Sequence, residues 1–335
     1  MITDPGRTPP SVELHVHVEG TLEPELIMEL AGRNHVELPF RDLDDLRARY
    51  AFDDLPHFLA LYYANMAVLR TADDFAAMTR AYLERAAVGG VRHVELFVDP
   101  QAHVARGVAL EAVVDGVAGA LGDTAPGLGI TTGLIACFLR DRPADEALDV
   151  LRALLAAGAP LLGVGLDSAE VGHPPGAFGE VFALAAEAGL RRVAHAGEEG
   201  PPAYVWEALD VLGAERIDHG IRSLEDPALV ERLVRDAVPL TVCPLSNVRL
   251  RCVDDLGAHP LPEMLRRGLR VSIHSDDPAY FGGYLDDNYR AVTAALGLSR
   301  DELARLARHG VDAAFVSPAR AAELHAGIDA WRGAG

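Results

Sequence analysis

Eight short runs rich in β-branched apolar residues, each followed by a longer Ala-, Leu-, Glu- and Arg-rich stretch of helical period, constrain the fold of this 335-residue chain more than any other feature. The runs are Val12 to Val18, Val91 to Val98, Ile130 to Phe138, Leu161 to Leu166, Leu190 to Ala194, Glu215 to Asp218, Pro239 to Cys243 and Leu269 to His274. Between them lie helical patterns such as Ala144 to Ala157, Phe178 to Ala188 and Pro227 to Arg235, opening near Asp, Pro or Gly. That alternation is what a parallel sheet with helical crossovers requires. Eight such strands predict an α/β fold of the (β/α)8 TIM-barrel type. A doubly wound open sheet is the alternative, but it needs no such number. No low-complexity linker divides the chain, so residues 1–335 are read as one barrel domain.

The gap from Gly20 to Gly90 is too long for one crossover helix and predicts a helical insertion after the first strand. It includes Glu23 to Gly32 and Leu55 to Leu69, with Phe52, Phe58, Tyr62 and Tyr63 among its aromatics. An insertion there sits on the face where such barrels carry out chemistry, as a lid or as an accessory layer packing its own aromatics. Both readings stand. A last amphipathic helix is expected over Pro318 to Trp331.

A formal net charge of -20 argues against nucleic acid or an anionic membrane surface as the main partner. Cys137, Cys243 and Cys252 are sparse and odd in number, which suits a reducing compartment better than a disulfide framework. Met1 to Pro10 has no apolar h-region, and no 18-residue uncharged apolar run follows. The expectation is therefore a cytoplasmic protein without a membrane span. Oligomeric state stays open, a homo-oligomer included.

His15 and His17 stand two residues apart in the first run. On an extended strand they leave the same face and can close on one metal ion, whereas a helix would turn them about 200° apart. Alone, such a pair reads first as hydrogen-bonded core histidines. Other polar groups fall at the carboxyl ends of other runs: Asp167 and Glu170 after the fourth, His195, Gly197 and Glu198 after the fifth, His219 after the sixth, and Asp276 and Asp277 after the eighth. In a barrel of this kind, loops at that end build the active site. Convergence of five groups there favours one metal-dependent site. Three imidazoles and a carboxylate, with no thiolate, suit Zn2+ or another borderline divalent ion with one position left for water. Zinc brings the pKa of such a water toward neutrality and a nearby His or Asp can take its proton, so hydrolysis is the expected reaction type.

Taken in order, Glu13-Leu-His-Val-His-Val-Glu-Gly20, His195-Ala-Gly-Glu198, Asp218-His-Gly220 and Ser275-Asp-Asp-Pro278 resemble the adenosine and adenine deaminase family of metal-dependent amidohydrolases, from about Ser11 to Phe315. Further stretches look most like its adenine deaminase branch: Gly20-Thr-Leu-Glu-Pro24, Gly163 to Pro175, His195 to Pro202, Cys243-Pro-Leu-Ser-Asn247 and Ser275 to Gly283. The resemblance implies one zinc ion held by His15, His17, His195 and Asp276. His219 would orient and help deprotonate the attacking water together with Asp276. Glu198 would protonate purine N1, without which C6 is a poor electrophile. Asp277 would hydrogen-bond N7, and Gly197 would let the chain turn close to substrate.

The reaction so implied is deamination of a 6-aminopurine, adenine to hypoxanthine and ammonia, as in purine salvage. Adenosine deaminases of the family typically carry Asp where this chain has Glu19. The longer side chain is expected to fill ribose space and favour a free base, or else to cap the helix beginning near Glu23. Ala169, with Ser168 and Glu170, is expected to line the base pocket. His274 departs from the family pattern, either tuning pH dependence or serving as a buried hydrogen-bonded substitute. Adenosine or 6-aminodeoxyfutalosine of a menaquinone route remain alternative substrates, and a non-catalytic metal-binding barrel is the alternative of another class.

Overall fold

The structure is a computed structural model describing residues 8–52 and 55–334. Most of the N-terminal stretch read for an export signal lies outside the described residues. Eight parallel strands follow one another in chain order: β1 Ser11–His17, β2 Val91–Val98, β3 Thr131–Leu139, β4 Gly163–Asp167, β5 Arg191–Ala196, β6 Arg216–His219, β7 Pro239–Val242 and β8 Arg270–Ile273. Each lies within two residues of its expected bounds at either end. Helices fill the crossovers, giving the (β/α)8 barrel and ruling out the open sheet.

Barrel closure is made by the segment after β8. Asp276 N–H donates to the His15 carbonyl at 3.0 Å, and His17 N–H donates to the Asp276 carbonyl at 3.1 Å. Lower on the same seam, Leu14 N–H donates to His274 Nδ1 at 3.0 Å, so an imidazole replaces a ladder carbonyl. That bond places the ring proton on Nε2, which faces Ser272 Oγ at 2.8 Å. His274 is thus the buried hydrogen-bonded substitute of the two readings. Beside it, Glu13 accepts from Ser275 N–H at 3.2 Å and Ser275 Oγ–H at 2.9 Å.

The strands follow the period of two with an inverted polarity. Leu14, Val16 and Val18, like Val94, Leu96 and Val98, are buried in the large apolar core that the strands share with the surrounding helices. The alternate residues meet inside the barrel, and many are polar. Arg216, fully buried, bonds Glu95 Oε2 at 2.5 Å and the Leu14 carbonyl at 3.1 Å. Above this pair, Phe97, Ile135, Cys137 and Val193 form a small apolar plug. Phe97 lies 5.4 Å from the His15 ring and 5.2 Å from that of His17, forming the floor of the site.

The insertion is helical, as expected, with Pro24–Asn34, Leu43–Ala48, Leu55–Asn65 and Ala72–Val88 as its main pieces. Phe52, Phe58, Tyr62 and Met66 pack with Leu250, Tyr280 and Phe281 in an aromatic cluster separate from the main core. The last helix, Pro318–Gly333, buries Leu324, Ile328 and Trp331 along one face. Among the described residues no helix is long and apolar enough to cross a membrane.

Candidate active site

The carboxyl ends of the strands surround a cavity of about 440 Å3. His17, His195, His219, Asp276, Asp277 and Glu198 line its base, and Phe58, Tyr62, Tyr63 and Phe281 roof it. Helix Leu55–Asn65 therefore both packs its own aromatics and covers the site.

Three strand ends reach the cavity through residues in left-handed backbone: Ser168 (φ 71°) after β4, His219 (φ 65°) ending β6 and Asp276 (φ 64°) after β8. Gly197 (φ 74°) makes the corresponding turn after β5. Holding non-glycine residues there costs of order 1–3 kcal/mol each. That local cost turns His219 and Asp276 back over the barrel mouth.

His15, His195, His219 and Asp276 offer ligand atoms that all lie within 4.8 Å of one another. His17 joins them, its Nε2 being 3.2 Å from His195 Nε2 and 3.5 Å from Asp276 Oδ1. Two facing imidazole nitrogens, together with a buried His15 Nε2 that has no hydrogen-bond partner, describe a place for a cation. Charge agrees. Burial pushes His17 down to about 4 and His219 to about 3, so both are neutral imidazoles near pH 7, the form that binds metal. Burial alone would raise Asp276, but the charge of His15 and its hydrogen bond hold it well below the usual carboxylate range. His15 goes the other way: burial opposes its charge, yet Asp276 and Asp218 keep it above its ordinary value. The cluster favours a positive charge at its centre, and its donors, four imidazoles and one carboxylate with no thiolate, fit a borderline divalent ion.

Outer partners hold these rings. His15 Nδ1 lies 3.0 Å from Thr241 Oγ1, whose hydroxyl donates to Asp218 Oδ1 at 2.7 Å. Asp218 Oδ2 stands 3.6 Å from His195 Nδ1, beyond hydrogen-bond reach, so the carboxylate is bonded toward His15 alone, through Thr241. Arg140, at the end of β3, donates to the His195 carbonyl at 2.6 Å.

Glu198 is held at both ends. Its loop is gripped by Glu170, whose carboxylate accepts from the backbone N–H groups of Gly197, Glu198, Glu199 and Gly200 at 2.6 to 3.0 Å. The side chain of Glu198 accepts from Asn247 Nδ2 at 3.0 Å and lies 3.5 Å from His219 Nδ1. Burial, then the charges of Asp276 and Glu170, push the Glu198 carboxyl well above the ordinary carboxylate range. Burial and Asp276 do the same to Asp277. Asp277 in turn packs on Gly20: a Cβ added there would lie 2.6 Å from Asp277 Cα, so only glycine permits this approach.

Four expected pocket residues are placed differently. The Glu19 carboxylate turns onto His103 Nε2 at 2.7 Å and Asp99 N–H at 3.1 Å, away from the cavity wall. It does not cap the helix Pro24–Asn34 either. Glu170 and the Gly197 N–H are committed to each other, and Ser168, rather than Ala169, reaches the wall. Glu19, Glu170 and Gly197 shape the pocket by holding its loops. Conversely, Asp99 and Asp167 line the cavity beside His17 Nδ1, Asp167 Oδ2 at 3.5 Å and Asp99 Oδ1 at 4.0 Å. Asp99 was not singled out from the sequence, because an Asp before Pro reads as a helix cap. Its signal is the period of two from His93 through Glu95 and Phe97.

A family model described as adenosine deaminase matches residues 10–331. The adenine deaminase of Streptomyces coelicolor is 63% identical over 310 residues, covering 92% of this chain and 90% of that protein. That of Rhodospirillum rubrum is 54% identical over 321 residues, covering 96% of each. Among solved structures, adenine deaminase from Arthrobacter aurescens superposes with a TM-score of 0.96 at 60% identity, covering 97% of this chain and 99% of that one. An amidohydrolase from Burkholderia ambifaria, solved with bound zinc, gives a TM-score of 0.90 at 27% identity, covering 100% and 94%. By sequence over nearly its whole length, and by the fold that brings these residues together, the chain belongs to the adenosine deaminase family and is a hydrolytic deaminase.

Proposed function

We propose that the chain, acting as one catalytic domain, converts adenine and water to hypoxanthine and ammonia. The observation that carries this reading is the single cavity on which Glu198, His219, Asp276 and Asp277 open together beside the histidine cluster. The names of the relatives above support adenine as substrate.

His15, His17, His195 and Asp276 would hold one zinc ion. When bound there, zinc supplies an acidified water at neutral pH. His219 and Asp276 flank that position and take up the proton of the attacking water. Glu198, kept as the acid by its surroundings, gives its proton to N1 and so withdraws density from C6. Asp277, also kept as the acid, donates to N7 and fixes which edge of the ring meets the nucleophile. Water adds at C6, the amino group takes up the proton held by His219 and Asp276 and leaves as ammonia as the C6–N6 bond breaks, and the new C6 hydroxyl returns its proton to Glu198 as the 6-oxo group forms. The aromatic roof excludes bulk water, which strengthens each of these interactions.

A non-catalytic metal-binding barrel would have no use for Glu198, a buried acid held at both ends and facing the cavity. Against a nucleoside such as adenosine or 6-aminodeoxyfutalosine, Asp99, Asp167 and Tyr63 wall the cavity beside His17. Ultraviolet assay of the zinc enzyme on adenine, adenosine and 6-aminodeoxyfutalosine is expected to show turnover of adenine far above the other two. Inactivity on all three would return the binding-protein reading. For Glu198→Gln, zinc content is expected to stay near wild type while turnover drops by at least ~100-fold; retained turnover would remove Glu198 as proton donor.

A further inference from the structure

Asn247 lies on the short helix Pro244–Arg249 after β7, fully buried, with its amide between Glu198 and His259. The orientation of that amide follows from an unambiguous donor. Leu261 N–H donates to His259 Nδ1 at 3.1 Å. Burial pushes His259 down to about 4, so near neutral pH the ring carries one proton, on Nε2. Nε2 faces Asn247 Oδ1 at 3.3 Å and donates to it. Nδ2 must then point to Glu198, where it donates to Oε1 at 3.0 Å, with a second contact to His219 Nδ1 at 3.4 Å.

An oxygen that accepts an amide hydrogen is the carbonyl oxygen of a carboxylic acid, so the acid proton is left on Oε2. With Glu198 as the proton donor of the reaction proposed above, we propose that Asn247, oriented by His259, is a positioning residue that fixes the Glu198 oxygen from which the proton leaves. When the proton passes from Oε2 to N1, Glu198 becomes a carboxylate and the bond from Asn247 becomes charge-assisted. It is stronger after transfer than before. Such an interaction raises the rate without tightening substrate binding. Neither Asn247 nor His259 lines the cavity, so neither acts by touching substrate.

Four variants test this: Asn247→Leu, His259→Leu, His259→Gln and Glu198→Gln, each measured for zinc content, melting temperature, kcat and KM on adenine. Asn247→Leu is expected to lower kcat ~10- to 100-fold, as loss of an outer positioning partner typically does, with zinc content unchanged. Its KM is expected to stay within about threefold of wild type. His259→Leu should follow it, because the Asn247 amide is then free to turn over. His259→Gln, which offers an amide donor at similar reach, should recover most of the rate. Wild-type kcat in Asn247→Leu, with Glu198→Gln inactive, would overturn the positioning role and leave the donor assignment standing. An active Glu198→Gln would overturn both. A KM effect alone, or His259→Gln as slow as His259→Leu, would reduce the pair to packing. Should Asn247→Leu fail to fold, the two His259 variants decide between the same outcomes.

Discussion

A carboxylic acid buried away from water keeps its proton to higher pH than one facing it, and this chain uses that effect at Glu198 and again at Glu13. Burial pushes Glu13 up to about 8, against an ordinary value of 4.5. Between those values the unfolded chain has released the proton and the folded chain retains it, so the folded state loses stability as pH rises through that window. The slope from this one group is at most about 1.4 kcal/mol per pH unit. Glu13→Gln should flatten the fall in melting temperature between about pH 5 and pH 8; an unchanged slope would show that Glu13 ionises normally. At this scale the sequence was legible where chemistry is written as spacing. His15, His17, His195, Glu198, His219, Asp276 and Asp277 sit in short motifs at strand ends and all meet at the cluster or cavity. Glu19 and Glu170 were not legible in this way. Each is bonded by backbone N–H groups or an imidazole from another loop, and no local pattern announces such a partner.

The strands were legible as elements because an apolar face toward the helices suffices to mark them. Their inward faces carried a second message. Glu13, His15 and His17 on β1, Glu95 and Phe97 on β2, Arg216 and Asp218 on β6 and Thr241 on β7 alternate with core residues, so the polar interior can be read from the same period of two. The insertion was legible as helices on the catalytic face, but which of its aromatics cover the site was not, since nothing local tells an aromatic face which surface it will cover. Helix Leu55–Asn65 resolves that by presenting Phe58 and Tyr62 to Phe281 and Tyr280 over the cavity. We propose that this helix acts as a lid. Phe58→Ala should then raise KM for adenine several-fold, about 1 kcal/mol of binding, with a smaller effect on kcat. An unchanged KM would leave it a packing layer only.

At the scale of the whole molecule, the barrel closes where its histidine cluster assembles. Asp276 is joined by backbone hydrogen bonds to His15 and His17, the first and last ligand-bearing strand regions in the chain, so an ion held by all three side chains would also clasp β8 to β1. Anything that binds only the folded state stabilises it. A chelator should therefore lower the melting temperature by several degrees, and added zinc should restore it. Equal melting temperatures with and without chelator would separate closure from metal binding.

The left-handed residues at the mouth of the barrel bear on how this enzyme could be improved. At Ser168, His219 and Asp276 the backbone itself would prefer glycine, yet two of the three side chains belong to the histidine–aspartate cluster to which the proposed chemistry is assigned. A selection for heat resistance alone would therefore drift toward the very positions at which activity is lost. Searches for a hardier catalyst are better directed at His35 and Ala237, left-handed residues away from the cluster, where glycine would relieve the backbone without touching the site.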